Sequence, residues 1–152
     1  MGKYILRIAN KNDIGAIVNI SHTSLGYPCE QELVAEKLNC LDSLREVVFV
    51  AEHKESKEVM GFIHLERYDV LYFETMCNIL GLAVAEDAKR QGIGSLLIKE
   101  AEQWAAQHGI HFIRLNSGGT RADAHKFYRN LGFDNEKEQM RFIKTIDTGI
   151  VP

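Results

Sequence analysis

The segment Lys89-Arg90-Gln91-Gly92-Ile93-Gly94 contains the residue types that most directly suggest chemistry. It follows an apolar run typical of a buried strand, and it precedes a long amphipathic helix. Glycine lets backbone amides approach a phosphate closely, and the positive end of a helix dipole favours the negative charge. Lys89 and Arg90 add positive charge at the mouth of this glycine loop. The loop therefore predicts a phosphate-bearing ligand and by itself nothing finer.

Two common classes of phosphate loop fit the segment poorly. A dinucleotide-binding fold needs glycine again at the third motif position, where Leu97 stands. A nucleoside triphosphate loop needs Gly-Lys before Ser or Thr, whereas Ser95 directly follows Gly94. NAD and ATP are therefore disfavoured, and a plain tight turn at the start of a helix stays an alternative.

The spacing of apolar residues around the loop predicts alternating strands and helices. We expect strands at 4–8, 47–51, 59–65, about 72–85, 112–115 and about 140–146, and helices at about 14–25, 30–41, 93–105 and 120–131. This order predicts a mixed α/β or α+β domain with a central twisted mixed β-sheet flanked by helices. The length of 152 residues is typical of a single domain, 1–152.

Three segments, in this order and spacing, resemble the cofactor half of the GNAT acetyltransferase superfamily. They are Leu82-Ala83-Val84, the glycine loop, and Ala124-His125-Lys126-Phe127-Tyr128 continuing to Leu131-Gly132-Phe133. The resemblance implies acetyl-CoA as cosubstrate, bound in a cleft between central strands that splay near Val84 and Asn116. No metal is required.

The resemblance also implies which residues hold the cofactor. The pyrophosphate would lie on backbone amides of the loop, and the acyl group and pantetheine would pair with backbone at Leu82 and Val84. The expected cofactor contacts are Leu82, Ala83, Val84, Lys89, Arg90, Gln91, Gly92, Ile93, Gly94, Ser95 and Asn116. Two positions depart from the commonest family pattern: Lys89 replaces Gln or Arg, and Arg121 replaces a frequent Asn.

Tyr128 matches the family's tyrosine that protonates the departing thiolate, and a phenol can donate that proton. Its place on the apolar stripe of a short helix offers core packing as the alternative. The proton acceptor is less defined, because Asn78 stands where some relatives have a glutamate and an amide cannot titrate. Glu66 and Glu74 lie near the predicted acceptor side, and an imidazole such as that of His64 has a suitable reference pKa. Each of the three could instead be an ordinary surface or strand polar residue, and a water chain is a further alternative.

The resemblance thus implies direct transfer of an acetyl group from acetyl-CoA to a primary amine in a ternary complex. The acceptor, a small molecule or a peptide, is not identified by the sequence. A non-catalytic acyl-CoA-binding sensor or assembly module is the alternative, which Asn78 favours. Cys77 has no evident base beside it, so a covalent acyl-enzyme is disfavoured.

Composition restricts the partners. The formal net charge is -3 and no basic stripe appears, so nucleic acid is not an expected partner. The three cysteines are too far apart in sequence for a metal motif, and they suggest reduced thiols. No apolar run is long enough to cross a membrane, so we expect a soluble cytoplasmic protein. Relatives often dimerise, which leaves a homodimer open.

Overall fold

The computed structural model describes residues 2–135, 137–147 and 149. The chain forms two compact units, Met1–Asn116 and Ser117–Pro152. The first unit contains the sheet, three helices and the glycine loop. Within its described residues, the second contains one helix and irregular segments before and after it.

The first unit is built on a five-stranded mixed sheet. Its strands are β1 Tyr4–Ile8, β2 Glu46–His53, β3 Val59–Tyr68, β4 Met76–Val84 and β5 Ile113–Leu115, and they lie side by side in chain order. The pairs from β1 to β4 are antiparallel, and β5 pairs with β4 in parallel. The prediction of a mixed sheet is confirmed. β4 begins at Met76 rather than near residue 72, because a turn precedes it.

Helices cover both faces of this sheet. They are α1 Ile14–Leu25, α2 Gln31–Asn39 and α3 Ile93–Gln107. Ile17 and Ile20 of α1 are buried in one cluster with Phe62 of β3. On the opposite face α3 lies against Gly61, where an added Cβ would come within 3.0 Å of Ile93 Cγ2. The close approach of α3 to the sheet therefore depends on a residue without a side chain.

A buried ion pair fixes the start of α1 against the sheet. Asp13, only 2% exposed, accepts hydrogen bonds from Arg7 at 2.8 and 2.9 Å and from the Asn10 backbone amide at 2.8 Å. Arg7 also pairs with Glu52 of β2 at 3.0 Å. Burial opposes ionisation of Asp13, but the hydrogen bonds from Arg7 and Asn10 outweigh it and hold the pKa of this carboxyl below its usual value.

Asp13→Asn should lower the free energy of unfolding at pH 7 by about 2–3 kcal/mol, because Arg7 loses a bidentate partner in a buried place. The folded pKa of Asp13 lies below the unfolded one, so its contribution is present above about pH 4 and is lost as the pH falls through the folded pKa. Urea unfolding at pH 7 and in acid measures both. Asp69→Asn is the matched control, since this carboxylate also pairs with arginine, namely Arg45 and Arg67, but is exposed. A loss that stays constant into acid would contradict the assignment.

The second unit contains α4 Ala122–Asn130. The helix ends in a turn in which Gly132 has φ +93° and the Phe133 amide donates to the Tyr128 carbonyl at 3.1 Å. The prediction of a final strand near 140–146 is wrong, because residues 137–147 contain no strand. The apolar side chains there, Met140, Phe142, Ile143 and Ile146, are exposed and do not alternate strictly, so no single face exists to be buried.

Among the described residues, no helix has both the length and the apolar composition that crossing a membrane requires.

Candidate active site

The glycine loop has a backbone that few side chains tolerate. It follows a short 3-10 turn, Glu86–Ala88, whose last residue, Ala88, is 1% exposed and anchors the loop in the first unit. Arg90 and Gly92 adopt left-handed conformations, with φ of +67° and +81°. Glycine takes this conformation freely, whereas an arginine pays for it. Residues 89–92 are all exposed, so their backbone is open to a ligand.

The first turn of α3 presents unpaired amides beside this loop. Gly92 is the N-cap residue and supplies no side chain, and the Leu96 amide makes the first bond of the helix, to the Gly92 carbonyl at 3.1 Å. The amides of residues 93–95 therefore have no acceptor within the helix. The first turn carries no acidic residue. This end of α3 suits a phosphate group.

Two loop side chains are already engaged within the protein. Lys89 Nζ donates to Glu86 Oε1 at 2.8 Å, and Gln91 Oε1 accepts from the Tyr4 hydroxyl at 2.6 Å. Tyr4 belongs to β1, 87 residues away along the chain, so sequence reasoning had no signal for it. The contact joins the loop to the sheet and leaves the backbone as the part best placed for an anion.

The second half of β4 offers an open edge. Its pairing with β5 stops at Ile79 and Leu115, five residues before β4 ends. A bulge at Leu80 shifts the register with β3, and beyond it the Ala85 amide donates to Met60 of β3 at 2.8 Å. Alternation along the strand then turns the backbone groups of Leu82 and Val84 away from β3, toward the edge that β5 has left.

Ser24 of α1 touches this open edge. Its hydroxyl donates to the Val84 carbonyl at 2.7 Å, which agrees with a carbonyl that points away from β3. A carbonyl oxygen has two lone pairs, so Val84 can accept a second hydrogen bond. Ser24 was not among the predicted site residues, because only the packing of α1 against β4 brings it there.

The remaining predicted cofactor residues have different environments. Ala83 and Ile93 are buried in the core, so only their backbones can reach a ligand. Ser95 is exposed in the first turn of α3. Asn116 follows β5 and its Oδ1 accepts from Arg114 at 3.1 Å. The first unit thus brings together the loop, the α3 end and the β4 edge.

A polar cluster occupies the α1 side of the sheet beyond the apolar core. Glu46 accepts from His64 at 2.9 Å, and Glu66 accepts from Asn78 at 2.7 Å. Arg114 donates to Asn78 Oδ1 at 2.7 Å and lies 4.4 Å from the centre of the Tyr68 ring. Of the three predicted proton acceptors, His64 and Glu66 belong to this polar cluster, defined as Glu46, His64, Glu66, Tyr68, Asn78 and Arg114. Glu74 lies apart, exposed in the turn before β4.

Comparison with protein families decides the assignment. The model of the Acetyltransferase (GNAT) family matches residues 14–133, a span that includes the glycine loop and α4. The chain belongs to the GNAT acetyltransferase family. The resemblance predicted from the sequence is confirmed.

Three curated relatives carry N-acetyltransferase names. The uncharacterized N-acetyltransferase CT2212 of Chlorobaculum tepidum is 30% identical over 88% of this chain and 77% of its own. The aminoalkylphosphonate N-acetyltransferase of Salmonella typhimurium is 32% identical over 59% of this chain and 57% of its own. The uncharacterized N-acetyltransferase YhdJ of Bacillus subtilis is 36% identical over 41% of this chain and 45% of its own. The matched segments thus span about half the length of two of these relatives.

Solved structures share the fold at low sequence identity. The aminoglycoside 6'-N-acetyltransferase AAC(6')-Ih from Acinetobacter baumannii has a TM-score of 0.80 at 15% identity, over 95% of this chain and 99% of that one. AAC(6')-Iy, in complex with the bisubstrate analog CoA-S-monomethyl-acetylneamine, has a TM-score of 0.79 at 16% identity, over 94% and 99% of the two chains. The GNAT fold of this chain is therefore established.

Tyr128 lies in α4 of the second unit and packs edge-on against the rings of Phe127 and Phe133. Burial raises the pKa of its phenol, and the nearby charge of Arg121 opposes the shift only in part. The hydroxyl is therefore protonated throughout the neutral range. This state is the one that a proton donor needs.

Cys77 is poorly suited to carry an acyl group. Its side chain is fully buried in β4, and burial raises the pKa of the thiol to about 12. The thiolate is the nucleophilic form, and it is scarcely populated at neutral pH. Over the part of the chain that the structure describes, no three His, Cys, Asp or Glu side chains are grouped as metal ligands would be.

Proposed function

We propose that this GNAT protein transfers the acetyl group of acetyl-CoA to a primary amine by direct attack in a ternary complex. The observation that carries the proposal is the pairing of two open backbone surfaces in the first unit. One is the uncapped start of α3 beside the glycine loop, and the other is the free edge of β4. A pyrophosphate suits the first, and a chain of amide groups suits the second.

The binding residues follow from this arrangement. Amides of Gln91, Gly92 and Gly94 hold the pyrophosphate, and the open backbone groups of Leu82 and Val84 pair with pantetheine and the acyl carbonyl. Arg90 is exposed and places its positive charge beside the phosphates. Lys89 adds a second positive charge, which its ion pair with Glu86 offsets in part. Bound acetyl-CoA supplies an activated acyl group with a thiolate as leaving group. The protein has to bind it, orient it and manage two protons.

Tyr128 donates the proton that the leaving sulfur needs. Its buried hydroxyl is protonated at neutral pH, which supports this role. The low reactivity of the Cys77 thiol supports direct attack by the amine over a covalent acyl-enzyme. Because the family match runs from residue 14 to residue 133, we propose that both units belong to one acetyltransferase domain.

The acceptor is a small-molecule amine in this proposal. The named relatives and neighbours include proteins described as acting on aminoalkylphosphonates and aminoglycosides, which are both small primary amines. The polar cluster, with two carboxylates and one guanidinium on one sheet face, offers partners for a polar acceptor. A peptide amine is the competing acceptor.

Calorimetry with acetyl-CoA, followed by thiol release with pools of aminoalkylphosphonates, amino sugars, polyamines and peptides, tests the proposal. Binding with amine-dependent thiol release is the expected result. Binding without release in any pool would favour a sensor or assembly module instead. Absence of acetyl-CoA binding would refute the proposal.

A further inference from the structure

His64 occupies a defined place relative to the open part of β4. It pairs in register with Gly81, directly after the bulge residue Leu80. Its neighbour Ile63 pairs with Leu82, the residue whose backbone faces the open edge. The side chain of His64 lies on the same sheet face as Phe62, because the two are alternate residues of one strand. His64 therefore lies on the strand next to β4, one residue in register from Leu82 of the proposed acyl site.

Glu46 fixes the imidazole of His64. Oε1 of Glu46 lies 2.9 Å from Nε2, and the two side chains are each 29% exposed. A carboxylate can only accept, so a neutral ring donates from Nε2 and leaves Nδ1 as an acceptor. This is the arrangement by which a carboxylate orients a catalytic imidazole. The pair forms between β2 and β3, so strand pairing holds both members in place.

We infer that His64, oriented by Glu46, accepts the proton of the acceptor ammonium, directly or through one water molecule. The inference rests on the proposed acetyl transfer. It assigns the role of proton acceptor, which the amide of Asn78 cannot fill. A primary amine reaches the protein mainly as an ammonium ion, which has no lone pair to attack a carbonyl. Its proton must leave first, and imidazole is the side chain that most often serves as a general base in enzymes.

Glu66 is the weaker candidate on the same face. It pairs in register with Asn78, two residues further along β3 from His64, which is about 7 Å farther from Leu82 along the strand. Its carboxylate accepts from Asn78, which in turn accepts from Arg114. The carboxylate of Glu66 is thus already engaged by Asn78 and lies farther from the proposed acyl site than His64.

Few other charges face His64. Glu46 lies on β2, Glu66 on β3 and Arg114 on β5. β4 contributes the neutral Asn78 and Gly81, and α1 presents the apolar Ile17 and Ile20 to this face.

The step balances without a further reactant. The ammonium gives one proton to Nδ1 of His64, which later releases it to solvent. The freed lone pair forms the carbon–nitrogen bond, and the carbon–sulfur bond breaks. The nitrogen loses a second proton as the amide forms, and this proton balances the one that Tyr128 gives to the sulfur.

The test compares two acceptors of nearly equal size, ethylamine and methoxyamine. Ethylamine is almost wholly protonated at neutral pH and needs a base, whereas methoxyamine is almost wholly neutral and does not. His64→Gln should lower the rate of thiol release with ethylamine about 100-fold and with methoxyamine less than about threefold. Glu46→Gln should show the same pattern at about tenfold, because the imidazole stays but loses its orienting partner. Calorimetry should give an unchanged acetyl-CoA affinity for both variants.

Two control variants keep the result specific. Glu66→Gln removes the neighbouring carboxylate, and any change in rate should be the same with ethylamine and with methoxyamine, because Glu66 is assigned no proton transfer. His111→Gln removes an exposed histidine outside the polar cluster and should retain the wild-type rates. An equal loss with both amines for His64→Gln, or a loss confined to ethylamine that appears in Glu66→Gln instead, would overturn the inference while leaving acetyl transfer intact. A wild-type protein that binds acetyl-CoA but releases no thiol with these two amines or with any of the amine pools would instead count against acetyl transfer itself.

Discussion

Gly92→Val should weaken acetyl-CoA binding by about tenfold or more. Gly92 has φ +81° at the start of α3, and nothing lies within 4 Å of an added Cβ, so the penalty is conformational rather than a clash. A left-handed conformation costs an L-residue about 1–2 kcal/mol, and valine is among the residues least suited to it. The loop would relax and turn its amides from the phosphates, and about 1.4 kcal/mol corresponds to a tenfold change in Kd. Calorimetry with acetyl-CoA measures the effect.

Gly109→Val is the matched control for this experiment. Gly109 has φ +69° just after the other end of α3, and it also has open space around it. Valine at this position should lower the free energy of unfolding by about 1–2 kcal/mol, because it would be forced into the same left-handed conformation. Its acetyl-CoA affinity should be unchanged. If both variants lost affinity equally, the glycine loop would not be the phosphate site.

Tyr128→Phe should lower kcat about 100-fold and leave the acetyl-CoA Kd within about twofold, as expected for loss of a proton donor alone. The substitution keeps the ring that packs on Phe127 and Phe133, so the protein should remain folded. Burial raises the pKa of this phenol, so the donor form persists above the ordinary tyrosine value of about 10. Steady-state kinetics and calorimetry separate the two effects.

Tyr72→Phe serves as the control, since Tyr72 is 79% exposed in the turn before β4 and the same hydroxyl is removed. It should behave as wild type. A Tyr128→Phe variant with full kcat would assign the leaving-group proton to water and Tyr128 to packing. A large rise in Kd without a fall in kcat would indicate a binding role instead.

The bulge at Leu80 connects fold and proposed chemistry. Before it, β4 directs the backbone of Cys77 to β5, where the Cys77 amide donates to Phe112 at 2.8 Å. After it, the backbone groups of Leu82 and Val84 face this same edge, beyond the point where pairing with β5 has ended. One extra residue thus exposes backbone donors and acceptors without opening the core, since Ala83 between them stays buried.

The elements around the glycine loop could be predicted from the sequence because their signals are local. An apolar run, two glycines and an amphipathic helix occupy one continuous segment, and each obeys a short-range rule. The prediction extended α2 to residue 41 because Leu41 continues the apolar spacing of the helix. In the structure α2 ends at Asn39, and Leu41 lies outside it. The prediction of a final strand near 140–146 was wrong because a strand forms only where another strand pairs with it, and local spacing does not reveal that partner.

The sequence alone determined the family, the order of elements through α4 and the loop that suits a phosphate. These depend on residue type and on spacing over at most a few dozen positions. Tertiary structure decided the rest. It joined Tyr4 to Gln91, placed Ser24 on the Val84 carbonyl and set Glu46 on His64. Each of these contacts crosses between elements far apart in the chain, and side-chain direction on a pleated sheet is fixed only once register and bulges are known.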